Sequence, residues 1–257
     1  MKTFLKIVGV LVIVLLAAVA GVIAATFLGR QSITDGAEFG PVRIVKDGIV
    51  SVGVIDLGGQ HVALVDAGND GDAKAILAEL SRRRLTADAV TTVFITHAHA
   101  DHTAGLKRFP KAQVMALDRE VGAVEGTEGF HGPATRLMPV RPTGVKVARA
   151  LHDGDTVVLG GTPVRVFAVP GHTLGSAAYL VDGVLFMGDA ADADDRGTIK
   201  PSPWVFSDSQ PEDRASLVRL ANRITTEHIP VTVLAFAHSG TRTDGLAQLF
   251  VYARANE

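Results

Sequence analysis

Cysteine is absent from the 257-residue chain. A disulfide framework, a thiolate nucleophile and a thiolate metal ligand are therefore excluded, and any metal site must use nitrogen and oxygen. A long basic block is also missing. With a formal charge of -2 and no clustered Lys and Arg, the chain has no electrostatic footprint for nucleic acid, which is not expected as a partner. No Ser stands in a glycine-flanked elbow, so covalent catalysis has no sequence support. No short-period repeat is visible. What remains, 47% hydrophobic and 20% charged, has the balance of a folded domain, and the length allows one compact core.

One segment departs from that balance. After Lys2 and Lys6, the run from Ile7 to Leu28 carries no charge and ends just before Arg30. As a helix rising about 1.5 Å per residue it would reach about 33 Å, against roughly 30 Å for a bilayer core. The expectation is an N-terminal transmembrane helix over residues 1–30, with the membrane as a partner; a chain secreted after leader cleavage is the alternative. Lys2 and Lys6 against Arg30 place the remainder of the chain on the extracytoplasmic side. Residues 31–41 turn polar and read as a linker, which leaves residues 42–257 as the functional domain.

From Val42 to Gly68, β-branched residues alternate between breaks at Asp47-Gly48 and Gly58-Gly59, both hairpin signals. Asp72–Leu85 places Ile76, Leu77 and Leu80 at helical spacing, and Arg82–Arg84 read as its solvated end. Ala89–Thr96 is a short buried strand. A second β-rich half follows, with strands in Asp155–Gly171 and Ala177–Ala190. A helix from Pro211 then carries Leu217, Leu220 and Ile224 on one face, and a last strand ends at His238. Two β-rich halves, each covered by helices, predict an α/β layered sandwich. Glu120–Gly144 reads as a long surface loop, and recognition is expected in the irregular stretches Glu125–Gly144 and Asp192–Gln210, with Phe130, His131, Trp204 and Phe206 as candidate pocket residues.

The chemistry concentrates at strand ends. "HAHADH", directly after the Ala89–Thr96 strand, sets His97, His99, Asp101 and His102 together. Spacing of two puts His97 and His99 on the same side of an extended segment, whereas Asp101 and His102 point apart unless the chain bends. One metal cannot easily take all four; two neighbouring metals can, and imidazole with carboxylate suits zinc, iron or manganese. Three more polar residues stand where apolar strands run out: His172 in "VPGHTLGS", Asp189 in "LFMGDA" and His238 in "LAFAHSG".

In order and spacing, "THAHADHTAG", "PGHTLGS", "GDA" and "AFAHSG" resemble the metallo-β-lactamase superfamily over roughly Val42 to Glu257. The resemblance implies an αβ/βα four-layer sandwich. It implies that His97, His99 and His172 hold a first metal, that Asp101, His102 and His238 hold a second, and that Asp189 bridges them. The two divalent ions would be zinc, with iron or manganese as alternatives. "LVDAG" resembles the family's early strand-end acid, so Asp66 is either a partner that orients a ligand or a turn former before Gly68. Asp101 and Asp189 would anchor a hydroxide that bridges the metals and attacks a small ester, thioester, lactone or amide.

Within the family, "AADAD" after Asp189 lacks the Tyr of lactonases. The chain also ends at Glu257, too soon after His238 for the glutathione-binding extension of glyoxalase II. An iron-dependent oxidoreductase of the persulfide dioxygenase kind, a β-lactamase-like activity and a noncatalytic binding module are the competing readings.

Overall fold

The computed structural model describes residues 2–257 and, in its first helix, every side chain except those of Lys2, Thr3, Leu5, Val19, Ile23, Ala25 and Phe27. Contacts gather the chain into two units, Met1–Arg30 and Gln31–Glu257. The first consists of helix α1 (Lys2–Phe27). Among the described residues no helix is long and apolar enough to cross a membrane, which corrects the expected transmembrane anchor. Part of the charge-free run lies outside the described side chains. The membrane partner and the extracytoplasmic or secreted placement rested on that span and fall with it.

In the second unit, turn chemistry decides where the chain doubles back. Strands β1 (Glu38–Phe39), β2 (Val42–Asp47), β3 (Val50–Gly58) and β4 (His61–Val65) form successive antiparallel pairs. The turns fall at Asp47-Gly48 and Gly58-Gly59, as the sequence signals require. Helix α2 (Lys74–Arg82) buries Ile76 and Leu80 and stops short of the expected Leu85. The chain then returns parallel as β5 (Val90–Phe94), runs through the short helix α3 (Ala100–Thr103), and continues as β6 (Gln113–Leu117), helix α4 (Val121–Glu125) and β7 (Val147–Leu151). These strands make one seven-stranded sheet in the order β1 to β7.

The second sheet begins with β8 (Thr156–Leu159), β9 (Thr162–Ala168), β10 (Ala177–Val181) and β11 (Val184–Gly188). A small separate hairpin, β12 (Ala191–Ala193) with β13 (Ile199–Pro201), occupies part of the expected irregular stretch. Helix α5 (Gln210–Thr226) is capped by Ser209, whose side chain accepts the Glu212 amide. Strands β14 (Val233–Phe236) and β15 (Gly240–Arg242) and helix α6 (Gly245–Asn256) complete the chain. The six-stranded order is β15-β14-β11-β10-β9-β8.

Three apolar clusters make the layers. One fills the space between the sheets, with Ile44, Phe94 and Tyr179 among its buried members. Another packs the outer face of the first sheet against Ile76 and Leu80 of α2. The third packs the second sheet against Leu217, Leu220 and Ile224 of α5 and Leu249 of α6. The result is helix, sheet, sheet, helix, the αβ/βα sandwich that the sequence predicts.

Two bonds tie the second sheet to the end of β5. Tyr179 Oη donates to the Ile95 carbonyl at 2.8 Å, and the Ala177 amide donates to the Thr96 carbonyl at 2.8 Å. They anchor the segment leading into "HAHADH".

Candidate metal centre

Each polar residue singled out at a strand end faces one common point. His97 Nε2, His99 Nδ1 and His172 Nε2 lie 2.9 to 3.1 Å from one another. Neutral imidazoles turning bare nitrogens together repel, and three nitrogens in mutual contact cannot all be satisfied by shared protons. A central cation resolves this, since tetrahedral ligands at about 2.05 Å are spaced roughly 3.3 Å apart. Asp101, His102 and His238 form a second group whose ligand atoms lie within 4.8 Å of one another.

Asp189 stands between the two groups. Its Oδ2 is 3.5 Å from His172 Nε2 and 3.1 Å from His238 Nε2, while its Oδ1 is 3.3 Å from His102 Nε2. Both Asp189 Oδ1 and His102 Nε2 are buried without a hydrogen-bond partner, so the donor set has open capacity where a cation would sit. Gly188 makes this placement possible. Its φ is +53, and a Cβ there would lie 2.7 Å from Thr96 Cβ, so only glycine lets Asp189 approach the end of β5.

The far sides of the rings are held as well. Asp66 Oδ2 receives His102 Nδ1–H at 2.8 Å and the Thr96 hydroxyl at 2.8 Å, and its Oδ1 takes the Thr96 amide. Thr96 Oγ1 in turn faces His97 Nδ1 at 3.2 Å. One carboxylate therefore orients a ring from each group, which goes beyond the alternative of a simple turn former. It sits at a left-handed φ of 64, a conformation Asp tolerates better than most residues. His238 Nδ1–H donates to the Ile49 carbonyl at 2.9 Å, which leaves Nε2 for the centre. His172 Nδ1 faces Ser207 Oγ at 3.5 Å, and Ser207 donates within 2.7 Å to Ser202 Oγ or to the Pro203 carbonyl. The Ser202 amide ends this path on Asp213 Oδ2 at 3.0 Å.

Electrostatics divides the groups. Burial, then the neighbouring rings His102 and His172, holds His97 well below the ordinary histidine range. Burial and His99 do the same to His172. Burial also opposes charge on His238, yet Asp189 outweighs it and the ring is pushed up to about 9. His102 is likewise raised well above its usual value, because Asp189, Asp66 and Asp101 overcome its burial. Burial would raise Asp189, but His238 and His102 hold it well below the carboxylate range. In the metal-free centre the carboxylates thus favour protons on His102 and His238, and a cation would take their place.

The irregular stretches flank this point. The Phe130 ring packs 4.4 Å from the His99 ring, centroid to centroid. The two stretches are stitched together by Asp208 Oδ1, which accepts the His131 and Gly132 amides. Phe206 is half-buried and Trp204 is 56% exposed, so they do not line a closed pocket. Two functional candidates escaped the sequence: Asp213, fully buried under the His172 path, and Glu120, 1% exposed where a surface loop was expected.

Residues 45–235 match the family model described as the metallo-beta-lactamase superfamily. Hydroxyacylglutathione hydrolase of Photobacterium profundum is 35% identical over 133 residues, which cover 50% of this chain and 42% of that protein. The same-named protein of Halorhodospira halophila is 32% identical over 192 residues, 72% of this chain and 64% of the relative. The chain thus spans about half the length of the curated relatives it matches. Among solved structures, the Rm3 metallo-beta-lactamase superposes with a TM-score of 0.64 at 21% identity, covering 91% of this chain and 95% of that one. A metallo-beta-lactamase family protein from Thermus thermophilus gives 0.61 at 23% identity, over 85% and 80%. At such identities these structures support the fold alone. The chain belongs to the metallo-β-lactamase superfamily of hydrolases.

Proposed function

We propose that the chain is a metal-dependent hydrolase of small esters, thioesters, lactones or amides. His97, His99 and His172 would hold one divalent ion, Asp101, His102 and His238 a second, with Asp189 shared between them. One observation carries the reading: the two oxygens of a single carboxylate, Asp189, face nitrogens of both groups. The nitrogen and oxygen donors suit zinc first, with iron or manganese as alternatives. Bound there, such ions supply a water of lowered pKa and polarise the scissile carbonyl.

The chain's own residues do the rest. Asp101 and Asp189 are the more open carboxylates of the centre, with side-chain exposures of 25% and 12%, whereas His97 and His102 are sealed. Substrate and water therefore approach on the Asp101 side, where these carboxylates accept the water's protons and orient it. The side-chain hydroxyls bordering the centre are engaged in bonds that hold its ligands and turns. Thr96 donates to Asp66, Thr103 to the His99 carbonyl, Thr173 to Glu120 and Ser239 to Asp192. These bonds favour direct attack by water.

Similarity to relatives named hydroxyacylglutathione hydrolase supports acyl-thioesters as the first substrates to try. The test is a panel of thioester, ester, lactone, phosphodiester and β-lactam substrates on the full chain supplied separately with zinc, manganese and iron. Turnover should be abolished by a chelator and restored by metal. Full occupancy without turnover, or oxygen consumption with iron in place of hydrolysis, would overturn the proposal.

A further inference from the structure

Glu120 lies beside the centre yet touches none of the expected ligands. It follows β6 and precedes α4, and its carboxylate is enclosed on all sides. Oε1 accepts the Ala98 amide at 2.7 Å, and Ala98 is the residue between His97 and His99. Oε2 accepts the Thr173 hydroxyl at 2.8 Å and the Gly175 amide at 2.9 Å, both in the turn that follows His172. One side chain thus joins the two segments that supply the three converging imidazoles.

The close approach is built in. A Cβ at Gly175 would lie 2.4 Å from the Glu120 backbone nitrogen and 2.6 Å from its Cβ, so any other residue there would push the turn away. Ser176 Oγ accepts the Thr173 amide at 2.9 Å and shares a 2.8 Å contact with Thr173 Oγ1. That arrangement aims the Thr173 hydroxyl proton at Glu120. None of the three donors is a cation. A carboxylate buried without an ion partner is costly, and burial pushes Glu120 up to about 7, with the Thr173, Ala98 and Gly175 bonds opposing it. Only a carboxylate offers accepting oxygens to donors on both sides, which an amide or a hydroxyl cannot do. A carboxylate gains where a cation sits one residue away on both joined segments.

The geometry points to Glu120 as a positioning residue that locks the His97–His99 segment to the His172 turn and so pre-forms the nitrogen-rich ion site. This rests on the metal reading of the centre given above, and it assigns the Glu a role distinct from that of Asp66, which holds His102 and, through Thr96, His97.

The test compares Glu120→Gln and Thr173→Val with the unmodified full chain. In the metal-free proteins, amide hydrogen exchange at Ala98 or at Gly175, whichever faces the new NH2, should rise at least about tenfold in Glu120→Gln, because an amide cannot accept from donors on both sides. With cadmium-113 as the probe, nuclear resonance separates the nitrogen-rich site from the one containing Asp101. Glu120→Gln should lose affinity at the nitrogen-rich site by about 10- to 100-fold, the range for removing an outer partner of a ligand, while the other site holds its ion. Thr173→Val keeps the carboxylate and should move the same site by less, which preserves the test if the Gln variant does not fold. Unchanged exchange at both amides, or equal weakening of the two sites, overturns the assignment and marks Glu120 as a structural residue only. Absence of cadmium from the unmodified chain would instead defeat the metal reading, while the exchange comparison would still decide whether the clamp exists.

Discussion

The two halves of the sandwich furnish the centre in different ways. The first half concentrates His97, His99, Asp101 and His102 in one loop after β5. The second half spends a whole strand on each contribution, with His172 after β9, Asp189 after β11 and His238 after β14. The first is a local constellation that needs only one bend in the chain. The second exists only when the β11–β14 parallel pair and the β9–β10–β11 order bring distant strand ends to one edge. Specificity of position is thus local on one side and topological on the other, and Asp189, between the groups, is where they meet.

That contrast is broken most severely at Asp189. Asp189→Ala should lower metal occupancy at both groups and reduce turnover by more than the roughly 100-fold that loss of an outer partner costs. Metal analysis alongside steady-state kinetics checks it, and a fall at only one group would separate the halves. Next in size are the supports. Asp66→Asn, which disturbs His102 through a direct 2.8 Å bond and His97 through Thr96, should weaken metal binding about 10- to 100-fold, whereas Ser207→Ala, acting across 3.5 Å, should cost about tenfold or less. Chelator competition measures both.

A separate effect is on stability against pH. Burial raises Asp213 to about 7, against the lowering bonds from Ser202. The folded chain therefore keeps a proton that the unfolded chain loses above about 4. Stability should fall as pH rises from about 4 to about 7, by at most ~1.4 kcal/mol per pH unit, and then level off. Asp213→Asn should reduce that slope in denaturant titrations, with Glu120, likewise raised to about 7, supplying the rest.

The same contrast explains what the sequence revealed. The loop after β5 was legible because all its donors are adjacent, and the strand-end His and Asp residues were legible because apolar runs stop at them. Asp66 was only half legible: its place before Gly68 suggests a turn equally well, and its role depends on the Thr96 hydroxyl across the sheet. Glu120 was hidden, since a Glu after Asp118 and Arg119 in a Gly- and Pro-rich stretch looks solvated, and only the tertiary turn at Thr173–Gly175 buries it. Strand β7 is mostly exposed at the sheet edge and offers no alternation to read. Helix α6 did carry a signal, with buried Gly245, Leu249 and Ala253 spaced four apart, a stripe that periodicity would have found. The charge-free amino-terminal run misled for the opposite reason, because composition alone suggested a span that the described helix does not supply.

The central claim is that both halves converge to hold two ions. Equilibrium zinc titration of the metal-free full chain against a competing chromophoric chelator tests it most directly. The account predicts two equivalents per chain, with His97→Ala and His238→Ala each removing one. Retention of both equivalents in those variants, or no tight zinc in the unmodified protein, would contradict it.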